Sequence, residues 1–76
     1  MIIKLSLPSG EVLLFNSWHL ATAHMQKTLI REAVFNRRYK DALERAIRKL
    51  YYFKGGFWEL TLEKGIAFRM EEDGEP

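Results

Sequence analysis

The sequence predicts an α+β fold of order ββααββ, in which hairpins at the two ends of the chain form a small antiparallel sheet packed on two helices. Three observations carry that prediction. Alternating apolar residues flank turn residues near both ends, at Pro8-Ser9-Gly10 and at Glu63-Lys64-Gly65. Between them, two segments repeat apolar residues at three- and four-residue spacing. Gly55-Gly56 then divides the second of these segments from the closing hairpin. An alternative arrangement keeps the hairpins as separate small sheets flanking the helices.

The first strand follows from Ile3, Leu5 and Leu7 alternating with Ile2, Lys4 and Ser6. Proline presets φ and glycine tolerates positive φ, so Pro8-Ser9-Gly10 turns the chain. Glu11 to Phe15 returns, with Val12 and Leu14 on one face and Leu13 and Phe15 on the other. Apolar residues on both faces predict a well-covered strand.

Asn16-Ser17 marks a helix start, because either side chain can accept from an orphan N–H of the first turn. The helix runs from Trp18 to Val34, with a main stripe of Trp18, Ala21, Thr22, Met25, Leu29 and Ala33. Leu20, Ala23, Ile30 and Val34 form a second stripe. Two apolar sides predict a helix sandwiched or half-covered by other elements, or one that offers its second side to a partner. Phe35-Asn36 is the expected break, since asparagine suits a left-handed helix end or the cap of the next helix. Without a break the helix would exceed thirty residues, long for this domain.

Arg37 to Phe53 is the second helix, with Tyr39, Ala42, Leu43, Ala46, Ile47 and Leu50 on one stripe. Arg37–Asp41, Asp41–Arg45 and Glu44–Arg48 stand four apart, the spacing that lets opposite charges meet. In the closing hairpin Trp58, Leu60 and Leu62 alternate with Phe57, Glu59 and Thr61, and Ile66, Phe68 and Met70 with Ala67 and Arg69. Residues 1–70 are expected to be one compact domain, and residues 71–76 an acidic, flexible tail. The expected core is Leu5, Leu7, Val12, Leu14, Trp18, Met25, Leu29, Leu43, Ile47, Leu50, Trp58, Leu60 and Phe68.

Seventy-six residues make one domain with a thin stability margin, since a chain of this size buries only ~60% of its unfolded surface. Its 13% aromatic content compensates, because each ring buries a large area. The absence of cysteine excludes disulfides, thiolate metal sites and cysteine nucleophiles. No apolar run approaches the ~20 residues of a membrane span, and the first ten residues lack the pattern of a signal peptide. A cytoplasmic location is the expectation. The net charge of +2 conceals an asymmetry: residues 27–54 carry +6 and the remainder −4. One basic surface and one acidic end follow.

Catalytic and metal constellations are not evident. His19 and His24 are five apart, about 140° around a helix, so they cannot chelate one ion from one face. Ser6, Ser9 and Ser17 have strand, turn and cap positions. Gly55-Gly56 ends a helix, whereas a phosphate loop joins a strand to a helix start. Glu71 and Glu72 fall in the expected tail, and acid–base catalysis needs positioned groups. Neither a cofactor nor a metal is expected.

The stretch KGGFWELTLEKGIAFRM, residues 54–70, resembles the late hairpin of RelE-like ribonuclease toxins and their phage-encoded relatives. In those proteins a glycine precedes an aromatic-Glu-Leu strand, and the next strand holds an aromatic followed by arginine. The resemblance implies ribonuclease activity, with Arg69 as the carried-over basic residue and no other site residue placed. The chain departs from that family in opening with a hairpin rather than a single strand, and in ending soon after Arg69.

Binding is the expected function. The candidate contact surface is Arg37, Arg38, Lys40, Arg45, Arg48 and Lys49 on the second helix. A protein is the leading partner, because charges segregated by sign favour oriented association. By analogy, small domains without catalytic groups are common among phage and mobile-element proteins that bind and inhibit a host complex. Nucleic acid is the alternative, with the same cations on phosphates and Tyr51 and Tyr52 nearby for stacking, although those rings are better suited to packing or an edge position. A homodimer would use the second stripe of the first helix as directly.

Overall fold

The alternation at the two ends of the chain resolves into a single four-stranded sheet in the computed structural model, which describes residues 1–73. The elements are β1 (Ile3–Ser6), β2 (Val12–Phe15), α1 (Trp18–Phe35), a 3-10 turn (Arg37–Tyr39), α2 (Lys40–Leu50), β3 (Phe57–Glu63) and β4 (Ile66–Glu72). The sheet order is β2-β1-β4-β3 with every pair antiparallel, so β1 and β4 join the two hairpins at the centre. This is the predicted α+β arrangement, and the separate-sheet alternative does not occur.

The core lies between the helices and one sheet face. Ile3 and Leu5 of β1, Phe68 and Met70 of β4, Ala21, Met25 and Leu29 of α1, and Leu43, Ala46 and Leu50 of α2 are buried there. Leu7, Trp18, Ile47, Trp58 and Leu60, expected inside, pack half-buried around it.

Val12 and Leu14 do not belong to the core; they are 51% and 60% exposed. Leu13 stands opposite Leu5 and Phe15 opposite Ile3. Since Leu5 and Ile3 face the helices, strand alternation sends Val12 and Leu14 to the other face. β2 is an edge strand with one bare face, where coverage on both faces was expected. The second stripe of α1 is also uncovered: Leu20, Ile30 and Val34 are all exposed.

The Ser17 hydroxyl caps α1 by accepting from the Leu20 N–H at 3.2 Å. The break falls at Asn36, whose N–H donates to the Glu32 carbonyl at 2.7 Å. Asn36 has φ −118°, so the helix ends without the left-handed residue that the sequence suggested. α2 is shorter than expected because Arg37–Tyr39 forms a 3-10 turn and Tyr51, Tyr52 and Phe53 leave on bonds to the carbonyls of Arg48, Lys49 and Leu50.

Two residues expected in the acidic tail belong to the sheet. Glu71 and Glu72 extend β4, opposite Lys4 and Ile3 of β1, and the Asp73 N–H donates to the Ile2 carbonyl at 2.8 Å. The backbone ladder to β1 sets this limit: Glu71 shares the uncovered face with Arg69, and Glu72, opposite Ile3 on the helix side, is exposed at the end of the strand. The rest of the expected tail, residues 74–76, lies outside the described residues.

Candidate functional site

The six candidate cations occupy the 3-10 turn and α2. Arg37 and Arg38 belong to the turn; Lys40, Arg45, Arg48 and Lys49 belong to α2; all six are exposed. They do not form one face. At 100° per residue Lys40 and Lys49 are about 180° apart, on opposite flanks of the buried Leu43, Ala46 and Leu50. Arg48 lies on the outward crest between them.

On the α1 flank, Arg37, Lys40 and Glu44 rim a groove floored by Ile30, Ala33, Val34 and Ile47, with a volume of about 320 Å³. On the β3 flank, Arg45 and Lys49 stand over Trp58, Glu59 and Leu60. Arg38 places its guanidinium carbon 5.5 Å from the Tyr39 ring centre.

Glu44 pairs with Lys40 at 3.9 Å rather than with Arg48, and among the described residues Asp41 has no cationic partner. Among the described residues no carboxylate pairs with Arg37, Arg38, Arg45, Arg48 or Lys49. Their charge is left to solvent or to a partner.

Arg69 is in a different state. It lies on the sheet face away from the helices and donates from Nη2 to Glu59 Oε2 at 2.9 Å. Its Nη1 lies 3.8 Å from Glu71 Oε2, and its guanidinium carbon 5.6 Å from the Phe57 ring centre. The hydrogen bond and charge of Glu59, with a smaller contribution from Glu71, raise its pKa above the ordinary arginine value.

Tyr39 ties the turn before α2 to the sheet through its hydroxyl, which donates to Glu63 Oε2. That bond raises the phenol pKa above its usual value.

His19 is exposed near the start of α1, whereas His24 packs against the Phe15 ring at 5.3 Å. Among the described residues no group of three or more His, Asp or Glu side chains is placed to hold a metal ion. None of the described helices is long and apolar enough to cross a membrane.

Sequence reasoning found the cations but missed the groove beside them. Ile30 and Val34 signalled it as members of the second stripe of α1, whereas Ile47 was assigned to the core. Tyr51 and Tyr52, read as packing or edge residues, do not pack: they are 75% and 83% exposed. The signal was their position beyond Leu50, the last buried residue of α2. Compared with protein families, curated proteins and solved structures, the chain matches none.

Proposed function

We propose that this protein is a non-enzymatic binding module that docks an acidic, amphipathic segment of a partner protein in the groove between α1 and α2. The observation that carries the reading is an apolar floor beside Arg37, with Lys40 held only by an exposed 3.9 Å pair to Glu44 on the same rim. Ile30 and Val34 are 52% and 62% exposed, and Arg37 has no carboxylate partner among the described residues. Apolar anchors of a partner segment would bury on the floor, and its carboxylates would meet Arg37 and Lys40, with Arg48 on the crest adding long-range attraction. An inhibitor of the phage or mobile-element kind would work this way, by occupying a surface of its target.

The ribonuclease alternative has less support. A catalytic arginine must offer its charge to phosphate, and here Glu59 and Glu71 already engage Arg69.

The test is capture from nuclease-treated extract of the native host, followed by mass spectrometry. The wild-type protein should retain a partner that is lost with Ile30→Ser/Val34→Ser and with Arg37→Glu/Lys40→Glu, and weakened by charge reversal at Arg38, Arg45 and Arg48. Leu14→Ser, on the far sheet face, should retain it. A partner held equally by the groove variants refutes the groove. Light scattering that finds a dimer dissolved by Ile30→Ser/Val34→Ser would replace the acidic segment with a second copy of the chain.

A further inference from the structure

A second surface, which shares only the crest cation Arg48 with the docking groove, lies where the start of α1 meets the end of α2. Trp18, His19, Tyr51, Phe53 and Lys54 line a depression of about 480 Å³ there, and no carboxylate is among its lining residues. Trp18 and Phe53 meet edge to face at 5.4 Å and 74°, which fixes an aromatic floor. Tyr51 on the wall and the adjacent Tyr52 expose most of their surface. The fold gains little burial from either ring.

The charges that line or adjoin the depression are cationic, with the acid Glu59 on the β3 flank beside Lys49. Lys54 lines the depression. Arg48 and Lys49 stand one turn before Tyr51 and Tyr52, so their side chains emerge beside the rings. None of the three has an ion-pair partner among the described residues. The first turn of α1 holds no acidic residue, so the positive end of that helix faces the same place uncompensated.

We propose that this end of the molecule binds single-stranded nucleic acid, with a base in the aromatic depression, its neighbour stacked on Tyr52, and phosphates on Arg48, Lys49 and Lys54. Exposed rings interleaved with cations fit that ligand, because every base presents a face for stacking and every linkage carries a charge. A duplex fits poorly, since its bases are already stacked and only its phosphates would be reached. An acidic peptide would use the cations and leave the rings idle.

The test is an anisotropy titration with a labelled oligouridine of about twelve nucleotides. The single strand should bind more tightly than a duplex of equal length. Three neutralised phosphates predict a slope of about −2 for log affinity against log salt. Tyr51→Ala/Tyr52→Ala should weaken binding by about tenfold or more at fixed salt. Both rings are exposed, so the circular dichroism spectrum should be unchanged. Ile30→Ser/Val34→Ser should bind like the wild type, which separates this site from the protein-docking groove. Several results would overturn the proposal: no binding at about 50 mM salt, equal affinity for the duplex, unchanged affinity in the tyrosine variant, or displacement of the strand by polyglutamate as effectively as by unlabelled strand.

Discussion

Gly55 and Gly56 offer a paired experiment in which one variable separates two otherwise similar substitutions. Their φ angles are +114° and +109°, so alanine is strained at either position, by about 1–3 kcal/mol. Their surroundings differ. A Cβ on Gly55 would lie 2.9 Å from Trp18 Cδ1, 3.0 Å from Nε1 and 3.1 Å from Cγ, whereas a Cβ on Gly56 meets nothing within 4 Å. The Phe53 ring packs edge to face on the same indole at 5.4 Å, so moving the indole also disturbs that contact. Forcing it aside adds an overpacking cost of about 1–3 kcal/mol for Gly55→Ala alone. For a domain of this size each kcal/mol moves the melting temperature by about 4–8 °C. Gly55→Ala should therefore melt at least about 4 °C below Gly56→Ala. Urea unfolding should give equal slopes and a lower midpoint, and a changed tryptophan emission should accompany Gly55→Ala alone. Equal losses in the two variants would refute the reasoning, because the contact with Trp18 would then cost nothing.

Three further outcomes test the fold. Leu13→Ala should cost about 1–2 kcal/mol while Leu14→Ala stays within about 0.5 kcal/mol, as urea unfolding of each would show; the reverse order would mean that β2 presents its other face to the helices. Ser17→Ala removes the cap of α1 and should cost about 1 kcal/mol in the same assay. The third concerns Tyr39, whose pKa is raised chiefly by its hydrogen bond to Glu63. The stability this contributes is fully present below the unfolded value of about 10 and is lost as pH rises through the higher folded value. Wild-type protein should therefore lose more stability than Tyr39→Phe between about pH 8 and about pH 11, and equal losses would remove the bond from the account.

The sequence was legible wherever one physical rule decided the outcome. Period-2 and period-3.6 patterns located every strand and helix, because each pattern has one way to bury a face. Ser17 announced the start of α1 by its capping chemistry, and Asn36 its end by position. Partner-dependent features were not legible. Val12 and Leu14 are as apolar as Leu13 and Phe15, so only the register against Ile3 and Leu5 decides which pair is buried. Glu71 and Glu72 belong to the sheet through backbone bonds, which side-chain polarity does not report. The candidate cations were visible as charge, but their division between two flanks depends on α2 beginning at Lys40 after a 3-10 turn. Sequence could not show which apolar residues would floor the groove, since Ile47 lies at the margin of the α2 core stripe.

The division of charge along the chain becomes a division between layers. Glu59, Glu63, Glu71 and Glu72 all fall on β3 and β4, and Arg69 among them is tied to Glu59 and Glu71. The sheet layer thus keeps an excess of negative charge with its one strand arginine already engaged, whereas α2 and the turn before it carry an excess of positive charge. An anionic partner would be drawn to the helix layer and turned towards it over roughly a Debye length of 8–10 Å. Exposed cations of this kind set encounter rate more than residence time. Residence must come from desolvated apolar contact, and on this side Ile30 and Val34 supply the floor for it. The two contributions should separate in surface-binding kinetics with the captured partner. Charge reversal at Arg38, Arg45 and Arg48 should slow association and flatten its salt dependence, with dissociation little changed. Ile30→Ser/Val34→Ser should speed dissociation and leave association near the wild-type rate. If the charge variant instead altered dissociation alone, the cations would be buried contacts in the complex, and the partner would lie on the crest of α2 rather than in the groove.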